Sequence, residues 1–175
     1  MKKREDQMRL FIAIQFEQTI HEALTDFQEE LKSRGVRGNY TKTENLHLTL
    51  AFIGEYGNPD EVLDAMEEAE FKPIEISLDG VGNFGDLFWV GLKDNPELTA
   101  YVKRLRRALS DADIPFDKKK FSPHITLIRK VSYKGSSMIP ATDQPQGSMK
   151  ASRVSLMRSD RGKNGMIYTE IGRLG

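Results

Sequence analysis

A chain of 175 residues has room for one globular domain and is short for two. Apolar residues make up 38% and charged residues 30%, enough for a core beneath a strongly ionic surface. Lys and Arg number 26 against 26 Asp and Glu; the zero net charge argues against a polycationic coat for nucleic acid or membrane, though not against a local basic site. Cysteine is absent, which removes disulfides, thiolate zinc sites and a cysteine nucleophile. Only His21, His47 and His124 remain as imidazoles. No apolar run approaches the ~20 residues of a membrane span. The basic opening is followed by neither a long apolar region nor a small-residue cleavage site. The expectation is a cytoplasmic single domain over residues 1–175, with residues 1–7 as a flexible extension.

In chain order, the LFIAI run predicts a strand over residues 8–16. Ile20, Leu24, Phe27 and Leu31 then share one helical face, and Gly35 and Gly38 end that helix. A strand over residues 46–53 is expected to stop at Gly54. Asn58-Pro59-Asp60 reads as the cap, proline and acidic first turn of a helix reaching about residue 70. Strands follow over 74–81 and 87–92, then a helix over 96–109 and a strand over 124–130. Residues 132–148, rich in Ser, Gly and Pro, read as loop. Strands over 151–159 and 166–171, joined through Asn164-Gly165, close the chain.

Two internal comparisons organise these elements. Residues 1–87 hold 9 basic and 18 acidic side chains, whereas residues 88–175 hold 17 and 8, so the halves are oppositely charged. The halves also repeat. LFIAI at Leu10 and LFWVG at Leu87 are 77 apart, as are His47-Leu48-Thr49-Leu50 and His124-Ile125-Thr126-Leu127. The helical stripe maps onto Leu98, Val102, Leu105 and Leu109 at an offset of 78. Each half reads strand, amphipathic helix, connection, then a strand opening with His-apolar-Thr-apolar. Two similar lobes facing each other across a cleft follow from this, as one folding unit.

On a strand, residues two apart share a face, so His47 with Thr49, and His124 with Thr126, point opposite to their apolar neighbours. Two imidazoles and two hydroxyls converging in a cleft suit a phosphodiester. One imidazole takes a proton from the attacking oxygen, the other protonates the leaving oxygen, and the hydroxyls donate to non-bridging oxygens. A lone histidine on a strand is more often structural; two of three in matching repeats favours chemistry. His21 lacks such company and reads as a surface or boundary residue. Gly80-Val81-Gly82-Asn83-Phe84-Gly85 fits G-x-G-x-x-G, but a strand follows it where a dinucleotide site needs a helix, so it reads as a hairpin connection. Nucleophile-elbow, Walker and zinc-protease motifs are missing from the sequence. Lys118, Lys119 and Lys120 before the second motif, with Arg129 and Lys130 after it, suit a phosphate backbone or merely solvate a loop.

The paired motifs, the MRLFIAI opening, ENLHLTLAFIGE and FSPHITLIRK resemble the 2H phosphoesterases, and within them the RNA 2′,3′-cyclic phosphodiesterases, also called LigT-like or 2′–5′ RNA ligase proteins. The resemblance runs from Met8 to about Ile171. It implies a bilobal α+β fold with two antiparallel sheets lining a central cleft and helices packed outside. It implies hydrolysis of 2′,3′-cyclic phosphate RNA ends or cyclic nucleotides to 2′-phosphomonoesters, without metal or other cofactor. Apart from the resemblance, the expectation is a monomer with RNA ends or cyclic nucleotides as substrate, no metal and no membrane. His47 would be the proton donor and His124 the proton acceptor, with Thr49 and Thr126 on the phosphate. Arg129 holds the position of a family arginine near the phosphate, and Phe52 that of an aromatic near the base. Strand alternation sets both on the wrong parity, so they need a bulge or a strand end to reach the site. The usual Trp and Pro before the first motif are replaced here by Gly38-Asn39-Tyr40-Thr41-Lys42-Thr43. Alternatives are reversible 2′–5′ ligation, another cyclic phosphodiesterase activity, or a non-catalytic module binding RNA ends.

Overall fold

Apolar alternation, helical stripes and two Asn-Pro pairs lay down nine strands and three α-helices among residues 8–175, the residues that the computed structural model describes. The expected extension over residues 1–7 lies outside them. The order is β1 (Met8–Gln15), α1 (Gln18–Ser33), β2 (Arg37–Tyr40), a 3₁₀ turn at Thr43–Asn45, β3 (His47–Tyr56), α2 (Pro59–Glu68), β4 (Ile74–Phe84), β5 (Leu87–Leu92), α3 (Pro96–Asp111), β6 (His124–Ser132), β7 (Ser148–Ala151), β8 (Val154–Gly162) and β9 (Gly165–Leu174). Both later helices start alike. Asn58 accepts from the Glu61 N–H at 3.3 Å and Asn95 from the Leu98 N–H at 3.1 Å, each followed by proline at the first helical position. Caps of this kind contribute about 1 kcal/mol each.

All pairings are antiparallel and form two sheets, in the orders β3-β1-β8-β9 and β2-β6-β5-β4-β7. Together with three helices this is the bilobal α+β architecture that the repeat and the resemblance imply. The helices are exchanged between the halves. Phe27 of α1 packs on Phe88 of β5 with ring centroids 6.1 Å apart, so the first helix covers the second sheet. Meanwhile α3 lies against β3, and α2 against β8 and β9 of the first sheet. The apolar stripes of α1 and α3 are buried as the spacing predicts. Each half therefore buries its helix on a sheet containing the other half's motif.

Several expectations need correcting. The strand read over residues 151–159 is two strands. β7 joins the second sheet through β4, and Ser152-Arg153 carry the chain across to β8 in the first sheet. β2 has no signal in the sequence because its residues are exposed or half-buried and carry no apolar alternation. Gly54 does not stop β3: it takes φ +86° inside the strand, where a bulge lets Leu10 face Gly54 while Phe11 faces Phe52. The repeat also slides by one residue in its first strand. Ala13 lies opposite Thr49 and Trp89 opposite Thr126, so β1 and β5 correspond at an offset of 76. Both runs are apolar enough to be aligned one residue out, and only the strand pairing reveals the register. The G-x-G-x-x-G stretch is the β4–β5 hairpin, with Gly85 at φ +60° in its turn.

Candidate active site

The two motif strands, β3 and β6, lie against each other and bring one histidine from each sheet to the cleft. Their local geometry repeats. His47 Nδ1 is 2.7 Å from the Asn45 carbonyl oxygen, and His124 Nδ1 is 2.8 Å from that of Ser122, two residues upstream in each case. A carbonyl only accepts, so each Nδ1 carries the hydrogen and each Nε2 is the acceptor of the neutral ring. Asn45 is itself fixed, since its buried side chain donates to the Met166 carbonyl of β9 at 3.0 Å. His47 Nε2 is 2.8 Å from Thr49 Oγ1. The apolar alternates Leu48, Leu50, Ile125 and Leu127 are buried.

Electrostatics distinguish His47. Burial pushes its pKa below the ordinary 6.5; the Asn45 carbonyl opposes this, and the charges of Arg129 and His124 add to the lowering. That Arg129 and His124 both act on His47 places all three in one electrostatic neighbourhood.

Bulges cure the parity problem. In β3, Ile12 faces Ala51 and Ala13 faces Thr49, so Leu50 is the extra residue. Phe52 then joins the face of Thr49, packing with Phe11, Ala13, Met157 and Tyr168. In β6, Phe88 faces Ile128 and Trp89 faces Thr126, so Leu127 is extra. Ile128 turns into the core and Arg129 turns to the opposite, exposed side. Leu50 and Leu127 are themselves 77 apart.

Several cleft residues escape a reading of the sequence. Phe11 and Tyr168 flank His47 with ring centroids at 4.9 and 5.3 Å. Phe84 meets the His124 ring edge-on at 5.0 Å, and Trp89 lies 6.4 Å away. Gly82 leaves room for the Trp89 indole, which a Cβ there would overlap. Gln15, opposite His47 on β1, donates to Ser155 Oγ at 3.1 Å and Glu170 Oε2 at 2.9 Å. Alternation within LFIAI and MIYTEI carries the face of Phe11 and Tyr168, but which face is the cleft is a property of the sheet. Lys118, Lys119 and Lys120 are exposed, and their segment is tied to the site where the Asp117 N–H donates to the Phe52 carbonyl at 2.8 Å. His21 packs edge-on to Phe16 at 6.2 Å on the boundary of α1, where burial lowers its pKa from 6.5. Among the described residues, no three His, Cys, Asp or Glu side chains cluster as metal ligands.

Two exchanged lobes with a His-x-Thr strand in each define a bilobal α+β protein with a paired-histidine cleft. Known proteins share this fold. A model of the 2′-5′ RNA ligase superfamily matches residues 16–163. The chain is 34% identical over 130 residues to an RNA 2′,3′-cyclic phosphodiesterase of Archaeoglobus fulgidus, covering 70% of this chain and 72% of the relative. It is 29% identical over 177 residues to the Methanocaldococcus jannaschii protein of the same name, covering 94% and 98%. The crystal structure of Escherichia coli LigT in apo form superposes with a TM-score of 0.79 at 25% identity, over 97% of each chain. This chain belongs to the 2′-5′ RNA ligase superfamily.

Proposed function

We propose that the chain is an RNA 2′,3′-cyclic phosphodiesterase, opening cyclic phosphate ends or cyclic nucleotides to 2′-phosphomonoesters. His124 Nε2 takes a proton from water as its oxygen bonds to phosphorus. The bond from phosphorus to the 3′ oxygen breaks, and His47 Nε2 gives that oxygen its proton. Thr49 and Thr126 donate to the non-bridging oxygens, the Arg129 guanidinium neutralises their charge, and Phe52 stacks on the base. The depressed His47 pKa makes it a ready proton donor, and an arriving phosphodiester anion favours its charged form. The observation that carries this reading is the matched pair of carbonyl locks on Nδ1, which presents two Nε2 atoms from related strands. The names of the relatives support the substrate. The chain acts as one unit because its helices are exchanged, and as a cytoplasmic monomer; among the described residues, no helix is long and apolar enough to cross a membrane.

The test is phosphorus NMR of a 2′,3′-cyclic phosphate oligonucleotide incubated with EDTA-treated protein. The cyclic signal should give way to a 2′-phosphomonoester. A 3′-phosphate product or a requirement for added metal would contradict the mechanism. Binding without turnover would instead make the protein an RNA-end binding module, and joined oligonucleotides with a 5′-hydroxyl acceptor would point to 2′–5′ ligation.

A further inference from the structure

Gln28 interrupts the apolar face of α1, lying among Ile20, Leu24, Phe27 and Leu31 with 4% of its surface exposed. A buried amide is costly unless bonded. Gln28 Nε2 donates to two main-chain carbonyls, Thr41 at 3.0 Å and Leu127 at 3.2 Å. Leu127 is the bulge residue of β6, between Thr126 and Arg129. Thr41, in the lead-in to the first motif, wraps the same bulge: its N–H donates to the Leu127 carbonyl at 2.8 Å and its hydroxyl to the Thr126 carbonyl at 2.9 Å.

Arg106 of α3 stands 78 residues after Gln28, the offset that relates the two helices. Its Nη1 donates to the Lys119 carbonyl at 2.6 Å and its Nη2 to the Leu50 carbonyl at 3.4 Å. Phe116 and Phe121 face its guanidinium at 5.7 and 5.9 Å. Leu50 is the bulge residue of β3, and Lys119 lies in the lead-in to the second motif, 78 after Thr41. The pattern is reciprocal. Each half's helix ties the lead-in of its own half's motif to the bulge of the other half's motif.

We propose that Gln28 and Arg106 are positioning residues that hold the two bulges, and through them keep Arg129 and Phe52 on the cleft face. The proposal rests on the cyclic phosphodiesterase reading for its catalytic consequence, not for its geometry. A strand that loses a bulge turns every later side chain to the other face while the earlier ones stay. His47, Thr49, His124 and Thr126 precede the bulges; Phe52 and Arg129 follow them. Slackening either clamp therefore removes substrate contacts while leaving the histidine pair in place.

The Arg129 charge lowers the His47 pKa, which gives the clamp a readout without substrate. Imidazole NMR titration of the full chain is expected to show His47 titrating higher in Arg129→Ala than in the unmodified protein. Gln28→Met, of similar volume but with no donor, should reproduce most of that rise, and adding it to Arg129→Ala should change nothing further. In the turnover assay Gln28→Met should lose roughly ten- to a hundredfold in kcat/KM, again with no further loss on top of Arg129→Ala. Should Gln28→Met fail to fold, Gln28→Asn keeps an amide one methylene too short for both carbonyls and takes its place. For the second clamp, Arg106→Lys retains the charge but not the fork. It should cost about tenfold in kcat/KM, and should not add to Phe52→Ala. A folded Gln28 variant whose His47 titration overlays the unmodified protein, while Arg129→Ala shifts it, would overturn the proposal; so would additive losses in either pair. Absence of turnover in the unmodified protein would instead overturn the phosphodiesterase reading, leaving the titration to decide on the clamp.

Discussion

The Thr49 hydroxyl is 2.8 Å from His47 Nε2, and because His47 Nδ1 donates to the Asn45 carbonyl, the hydroxyl is the donor whenever His47 is neutral. A proton arriving at Nε2 reverses that bond and frees the hydroxyl hydrogen for a phosphate oxygen. In the proposed mechanism this pairs Thr49 with the charged, proton-donating state of His47. Thr49→Val, close in shape, is expected to lower kcat/KM roughly 10²-fold, and Thr49→Ser to retain most activity. A Val variant with unchanged kcat/KM would remove the hydroxyl from the mechanism.

Half-buried histidines whose charged form is disfavoured make stability depend on pH. His47 is lowered from 6.5 by burial, aided by Arg129 and His124 and opposed by the Asn45 carbonyl; His21 is lowered by burial. Such a group binds fewer protons folded than unfolded, so its stabilisation is complete above the unfolded pKa of about 6.5 and is lost as pH falls through the native value. Urea unfolding should show the free energy declining on acidification below about pH 6.5, and His47→Gln should flatten that decline. Stability that grows on acidification through this window would reverse the assigned sign.

Gly82 is opposite Trp89 in the β4–β5 hairpin, and the indole occupies the space a side chain would need. Gly82→Ala must displace the indole, which packs beside Phe84 and His124, costing about 1–3 kcal/mol in unfolding free energy together with a loss of turnover. Chemical denaturation and kcat/KM check the two effects. A variant as stable and active as the parent would show that the Trp89 position is not needed.

The basic segment before β6 is pinned beside Phe52 through the Asp117 N–H, and Lys118, Lys119 and Lys120 follow it, exposed; if they track a longer RNA, the salt dependence of binding will show it. Charge neutralisation on a single strand makes affinity fall with salt, with a slope of about −0.7 per phosphate. KM for a cyclic-phosphate oligonucleotide should therefore depend more steeply on salt than KM for a cyclic mononucleotide. Changing the three lysines together to Ser should remove the difference while sparing mononucleotide turnover. Equal slopes in the unmodified protein would mean that the lysines solvate a loop.

Much of this was legible in residue order. His47, Thr49, His124 and Thr126 announce themselves through alternation and through the repeat, and the exposed side of each helix follows from its stripe. Once the resemblance puts Phe52 and Arg129 at the site, their parity conflict is legible too, as a demand for bulges. What residue order conceals is the partner across space. Gln28 looks like a flaw in an apolar stripe until the Leu127 carbonyl is seen above it, and Arg106 looks like a surface charge until Leu50 is. The exchange of helices, the crossing at Ser152-Arg153 and the exposed strand β2 are likewise decided by pairing and packing between distant segments, which local pattern does not encode.

The most direct measurement is kcat/KM on a 2′,3′-cyclic phosphate substrate for His47→Ala, His124→Ala and the double variant, with folding checked by circular dichroism. Acid and base acting on one reaction should each be worth roughly 10²–10⁴-fold, and the double variant should fall well short of the product of the two losses. The fold should persist, because Leu48, Leu50, Ile125 and Leu127 carry the packing of these strands. A folded variant lacking either imidazole yet matching the parent in kcat/KM would contradict the paired-histidine account.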